Sequence, residues 1–193
     1  MMTSKVQCPL CGNEAVLKRD GSEVYQITCP SCGEFQITQD CFDDLPAARK
    51  LQPQLMKVSA FTRSRTINKE PVVTLFIGNP GDYPEGYTIP QIINQFPSIP
   101  DRNLKVLGNL QGLSTFFGDP VLIETKDYPV FYPEVNHESP SLMMMRTLVE
   151  EVLVSGEVKF PTQLTVTAKG VSMLGGQSSP VAPATPIRIV EVL

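Results

Sequence analysis

Two short stretches near the amino terminus, Cys8-Pro9-Leu10-Cys11-Gly12 and Cys29-Pro30-Ser31-Cys32-Gly33, constrain this chain more than any other part of it. In each, two cysteines flank a proline-led pair and a glycine follows at once. A turn this tight aims backbone amides at thiolate sulfur, and the glycine accepts the positive φ at which it closes. Two such knuckles supply four sulfurs, the number that completes a tetrahedral metal site. The seventeen residues between Cys11 and Cys29 suit that plan: Glu14 to Lys18 and Glu23 to Thr28 read as strands joined at Asp20-Gly21, a strong hairpin signal. Glu34 to Thr38 supplies a third strand.

Residues 1–42 are therefore expected to form a rubredoxin-like zinc ribbon in which Cys8, Cys11, Cys29 and Cys32 bind one structural zinc ion. Iron is the competing metal. About forty residues cannot bury enough apolar surface to fold alone, so metal binding supplies the missing stability. Four thiolates leave no open position for water or substrate, which points to a structural role and not a catalytic one. Cys41, the fifth cysteine, has no evident basic neighbour to lower its pKa and is read as an inert buried thiol. The single histidine, His137, is far from the knuckles in sequence and is read as a surface or loop residue.

Hydrophobic residues make up 41% and charged residues 19% of the 193, so a packed core is expected. The fold class expected is α+β, the ribbon being followed over residues 43–175 by a mostly helical, winged-helix-like domain. Asp43 and Asp44 before Pro46 suggest a helix from Leu45 to Leu51, and Leu55, Val58 and Phe61 mark a second from Pro53 to Ile67. Val72 to Ile77 reads as a short buried strand. Thr88 and Asp101 are read as caps of two helices, the latter turning Leu104, Leu107, Leu110 and Phe117 to a core. Val121 to Glu124 and Tyr128 to Tyr132 read as extended.

A clear amphipathic helix starts at Ser139 or Ser141, with Leu142, Met145, Leu148, Val149, Val152 and Leu153 at helical spacing and Gly156 at its end. Met143, Met144 and Met145 are read as core filler, with an adaptable binding surface as the other reading. Glu157 to Phe160 and Gln163 to Thr167 follow as a two-stranded ribbon, and Ala168 to Leu174 returns to helix. That order is the order of a winged helix. Residues 176–193 read as linker or tail, with a short strand at Ile187 to Val192.

Charge is unevenly placed. Arg49, Lys50, Lys57, Arg63, Arg65 and Lys69 lie between Leu45 and Lys69 with no acidic residue among them, so that segment carries +6 and the remainder −10 of a net −4. On a helical wheel Lys57, Arg65 and Lys69 share an arc while Arg63 falls elsewhere. No apolar run is long enough to cross a bilayer, and Met1 to Gln7 has no signal-peptide core, so no membrane contact and a cytoplasmic location are expected.

The paired knuckles, Phe35-Gln36-Ile37-Thr38 after the second, the basic helix and the late Leu164-Thr165-Val166-Thr167-Ala168-Lys169-Gly170 stretch together resemble a group of bacterial zinc-ribbon plus winged-helix modules. In that group the module often precedes a domain similar to nucleoside deoxyribosyltransferases or TIR domains, in proteins associated with anti-phage defence. The resemblance implies a sensor or adaptor; the residues past Gly176 are too few for such an effector domain, so the sequence is expected to be either a free-standing module or the front part of something longer.

Two functions are weighed. In the first, the basic residues from Arg49 to Lys69 recognise an anionic ligand, nucleic acid or nucleotide. Against duplex reading, the helix before the ribbon offers only Arg146 beside Glu150 and Glu151. In the second, the chain is a protein-interaction or dimerisation adaptor for a separate effector, with Phe116, Phe117 and the methionines as candidate contacts. Enzymatic motifs are lacking: no phosphate loop, nucleophile elbow or HExxH pattern occurs.

Overall fold

A computed structural model describes residues 2–48, 50–79, 83 and 86–175. The architecture is mixed α+β, with a six-stranded and a three-stranded sheet among the described residues. Strands β1 (Met2–Gln7), β2 (Glu14–Arg19), β3 (Val24–Cys29) and β4 (Gly33–Thr38) form an antiparallel meander in sequence order. The chain then leaves the sheet through α1 (Gln39–Asp44) and α2 (Leu55–Ile67). It returns as β5 (Thr74–Phe76), parallel to β4, and β6 (Gly86–Thr88), parallel to β5. Parallel pairing needs a crossover of this kind because a tight turn can only reverse the chain.

The alternation read from the sequence places the core of this sheet. Leu17, Ile27, Phe35, Ile37 and Leu75 are fully buried on one face, against Leu45, Leu55, Val58, Ile89 and Ile92 from the helical segments. This core runs across residue 42, so the expected ribbon boundary does not coincide with a break in packing. β1 was not expected from the sequence, because all its residues but the half-buried Val6 are exposed and no apolar alternation marks it.

The second core belongs to α4 (Ile99–Leu113), β7 (Val121–Ile123), a 3-10 segment Thr125–Phe131, α5 (Glu138–Glu150), β8 (Val154–Gly156), β9 (Thr162–Val166) and α6 (Ala168–Gly175). A short α3 (Ile89–Asn94) links the two regions. In the small sheet β9 lies between β7 and β8, antiparallel to both. Leu107, Leu110, Ile123, Val130, Phe131, Met145 and Leu164 are completely buried there.

Local signals succeeded where the side chain that ends an element sits within it. Thr88 caps α3 in a capping box with Gln91, and Pro90 occupies the first turn. Elsewhere another residue took the cap. Thr38, not Asp43 or Asp44, caps the first helix by accepting from the Cys41 amide, so the expected Leu45–Leu51 helix becomes 3-10 turns around Pro46 and Pro53. Ser98 stands at the start of α4, its hydroxyl donating to Asp101 within the first turn. α4 stops at Leu113, which leaves Phe117, expected in the core, 58% exposed.

The expected extended piece Tyr128–Tyr132 is 3-10 up to Phe131, set by Asp127, whose carboxylate accepts from the Glu124 amide. His137 caps α5, its Nδ1 accepting from the Ser139 amide at 3.1 Å. That helix ends at Glu150 and not near Gly156, so the first ribbon strand begins three residues earlier than expected, at Val154. Met144 and Met145 are core as expected, but Met143 is 70% exposed. The strand expected at Ile187 to Val192 lies outside the described residues.

Gly170 shows how closely α6 is seated. A Cβ there would lie 2.4 Å from the Leu153 carbonyl oxygen and 2.9 Å from Val166 Cγ1. Gly170→Ala is expected to lift α6 off the small sheet and cost about 2 kcal/mol in thermal or denaturant unfolding, whereas Gly175→Ala, with nothing within 4 Å, should be close to neutral.

Candidate metal centre

The two knuckles meet because β3 and β4 form a tight hairpin, with Cys29 opposite Gly33, while the β1–β2 turn folds over the same end of the sheet. Each turn has the expected local form. Gly12 and Gly33 take φ of 76° and 79°. The Asn13 amide lowers the proton affinity of the Cys11 sulfur, and the Cys32 amide that of Cys29. Asn13 Nδ2 also donates to Ser31 Oγ at 2.8 Å, tying one knuckle to the other.

The four Sγ atoms lie within 4.8 Å of one another. Cys8 and Cys32 are 3.6 Å apart, as are Cys11 and Cys29. A tetrahedral ion with metal–sulfur bonds of about 2.3 Å requires sulfur–sulfur edges of about 3.8 Å. The donor set therefore fits one metal ion, and Cys8, Cys29 and Cys32 are buried with Cys11 half-buried. Crowding so many thiols together drives their proton affinities apart. Hydrogen bonding with Cys11 holds Cys29 far below an ordinary thiol and, with Cys29 and burial adding to it, pushes Cys8 and Cys32 up. A bound cation, by favouring the thiolate in all four, removes that conflict.

Cys41 lies apart from the set, completely buried. Burial first, then the Asp44 charge, pushes its thiol up to about 12, so it is protonated at neutral pH.

Helix α2 backs the second knuckle, and no residue of the helix is exposed. Ser59 Oγ lies 3.0 Å from Cys32 Sγ. The Glu34 amide donates to Thr66 Oγ1 at 2.8 Å, and Thr66 fills the space beside Gly33 so closely that a Cβ there would come within 2.2 Å of its hydroxyl. Sequence spacing carried no signal for Ser59 or Thr66, which lie 27 and 32 residues from their partners. The second region also approaches the site: Asn136, which accepts from the Tyr128 hydroxyl, borders the same recess as Cys8 to Gly12.

Among the described residues, the basic side chains of this segment do not all lie on one surface. Arg63 turns inward and pairs with Asp127 at 2.7 Å, the two side chains being 16% and 9% exposed. Arg65 pairs with Glu70 at 2.9 Å and donates twice to the Pro71 carbonyl. Lys57 is half-buried over the Phe96 ring, 5.2 Å from its centroid. Lys50 and Lys69 are exposed, and Arg49 lies outside the described residues. The positive segment thus finds its counter-charges beyond its own ends, at Glu70 and Asp127, which local charge counting could not reveal. Among the described residues, no helix is long and apolar enough to cross a membrane.

Asp127→Ala is expected to leave the Arg63 guanidinium buried without a partner and to cost about 3 kcal/mol in denaturant unfolding. Glu70→Ala, removing a carboxylate that is 46% exposed, is expected to cost less than about 1 kcal/mol in the same measurement.

No family model, curated protein or solved structure matches this chain.

Proposed function

We propose that the chain is a non-catalytic adaptor: a ribbon held by one structural zinc ion, joined to a winged-helix unit that docks a protein partner. Zinc is preferred because four clustered sulfurs at near-tetrahedral spacing are its usual structural ligand set, and a set closed by four thiolates has no position left for substrate. The winged-helix reading is supported by α5 leading into the β8–β9 hairpin, with β7 completing a sheet of order β7-β9-β8.

The single observation that carries the docking reading is the contrast in what the surface offers. Arg63 and Arg65, the strongest candidates for anion recognition, are held by Asp127 and Glu70, while Phe116 and Phe117 stand 66% and 58% exposed beside each other. Their turn is fixed, since Ser114 Oγ donates to the Phe116 carbonyl at 2.6 Å and the Asp119 amide to the same oxygen at 3.1 Å. Two aromatic rings held in water on an ordered turn are a favourable anchor for a protein surface. The outward face of α5 carries Met143, Arg146 and Glu150, which suits protein contact better than base reading. The resemblance to defence-associated modules supplies the class of partner, a separate effector protein; the minimal partner for a test is a second copy of the chain.

Elemental analysis of the purified chain is expected to find one zinc per molecule, and excess chelator to lower the unfolding temperature. In sedimentation velocity the chain is expected to self-associate with rising concentration, and the double change Phe116→Ser with Phe117→Ser to abolish association without losing zinc or fold. Oligonucleotide binding that weakens steeply between about 50 and 200 mM salt, with no self-association, would instead favour the anionic-ligand reading.

A further inference from the structure

We infer that helix α2 makes the packing of the second region depend on metal at the ribbon, with Ser59 as the positioning residue that joins them. This rests on the zinc reading above. A metal-bound Cys32 is a thiolate and can only accept, so the Ser59 hydroxyl, completely buried and 3.0 Å away, donates its proton to the sulfur. The bond offsets charge on the metal–sulfur cluster and fixes how α2 lies against the knuckle. Thr66, two turns further along the same face, adds the second anchor through the Glu34 amide. Two anchors on one face set both the rotation and the height of the helix.

The neighbouring face of the same helix belongs to the second core. Ser64 Oγ donates to Asn109 Oδ1 at 2.8 Å, Asn109 Nδ2 reaches the Val130 carbonyl at 2.9 Å, and Arg63 holds Asp127. Ala60 and Ile67 pack among the apolar side chains of that core. When the metal leaves, the four sulfurs lose the charge that holds them together and the second knuckle opens. Ser59 and Thr66 then lose their partners, and a helix released on one face cannot hold its register on the other. Loss of the metal therefore loosens the docking unit, which gives the adaptor a metal-dependent state.

The test uses the full chain, with metal content measured alongside. Hydrogen exchange before and after stripping with chelator is expected to quicken across residues 121–166 as well as 8–38. Ser59→Ala is expected to release zinc to a chromophoric chelator about 10-fold faster than the unaltered chain. Ser64→Ala, which removes a buried hydroxyl on the neighbouring face of the same helix, should speed release less than Ser59→Ala does. Metal loss with unchanged exchange over 121–166, or equal release from the two variants, would overturn the coupling while leaving the zinc reading intact. A chain that neither carries nor takes up a metal would overturn both.

Discussion

Helix α2 packs on one face against the β4 knuckle and on the next against the second core, and the rest of the structure is arranged around that double contact. Its side chains divide by helical position: Leu55, Val58, Ser59 and Thr66 look toward the sheet and the sulfurs, while Ala60, Arg63, Ser64 and Ile67 look toward the second core. A helix so enclosed needs partners for its polar groups. Ser59, Thr66 and Ser64 meet that need with Cys32, Glu34 and Asn109, and Arg63 meets it in part with Asp127, its Nε being left without a partner; these polar contacts give the packing a direction that apolar burial alone does not impose.

The sulfur cluster and the helix reinforce each other. Residues 2–38 form a four-stranded meander whose buried face is narrow, and without the helices lying across it Leu17, Ile27, Phe35 and Ile37 would face water. A cation joining the knuckles would hold the strand ends that α2 packs against; α2 in turn covers Cys32 and Gly33 and excludes solvent from the sulfurs. In this arrangement the ribbon is less a separate module than one wall of a larger core.

The positive charge between Leu45 and Lys69 has a structural use that its sequence did not reveal. Arg63 and Arg65 bind to carboxylates that lie outside the segment, one of them sixty-four residues away, so an apparent surplus of +6 is partly an internal pairing requirement. Apolar exposure moved in the opposite sense. Phe117, placed in the core by helical periodicity, was released to the surface when α4 ended four residues earlier, and with Phe116 it became the most apolar feature of its turn.

The two cysteine knuckles, the Asp20-Gly21 hairpin, the Thr88 cap and the helix carrying Met145 and Leu148 were legible in the chain itself, because each depends on residues a few positions apart whose geometry follows from turn and helix spacing. Helix ends were less so, since Thr38, Ser98 and His137 took positions that other polar residues nearby could equally have filled. The parallel pairing of β5 and β6, the inward turn of Arg63, and the contact of Ser59 with Cys32 were decided only by the tertiary structure. Each joins residues from 12 to 64 positions apart, and which of them meet is set by the packing of whole elements against one another, a quantity no local pattern of residues contains.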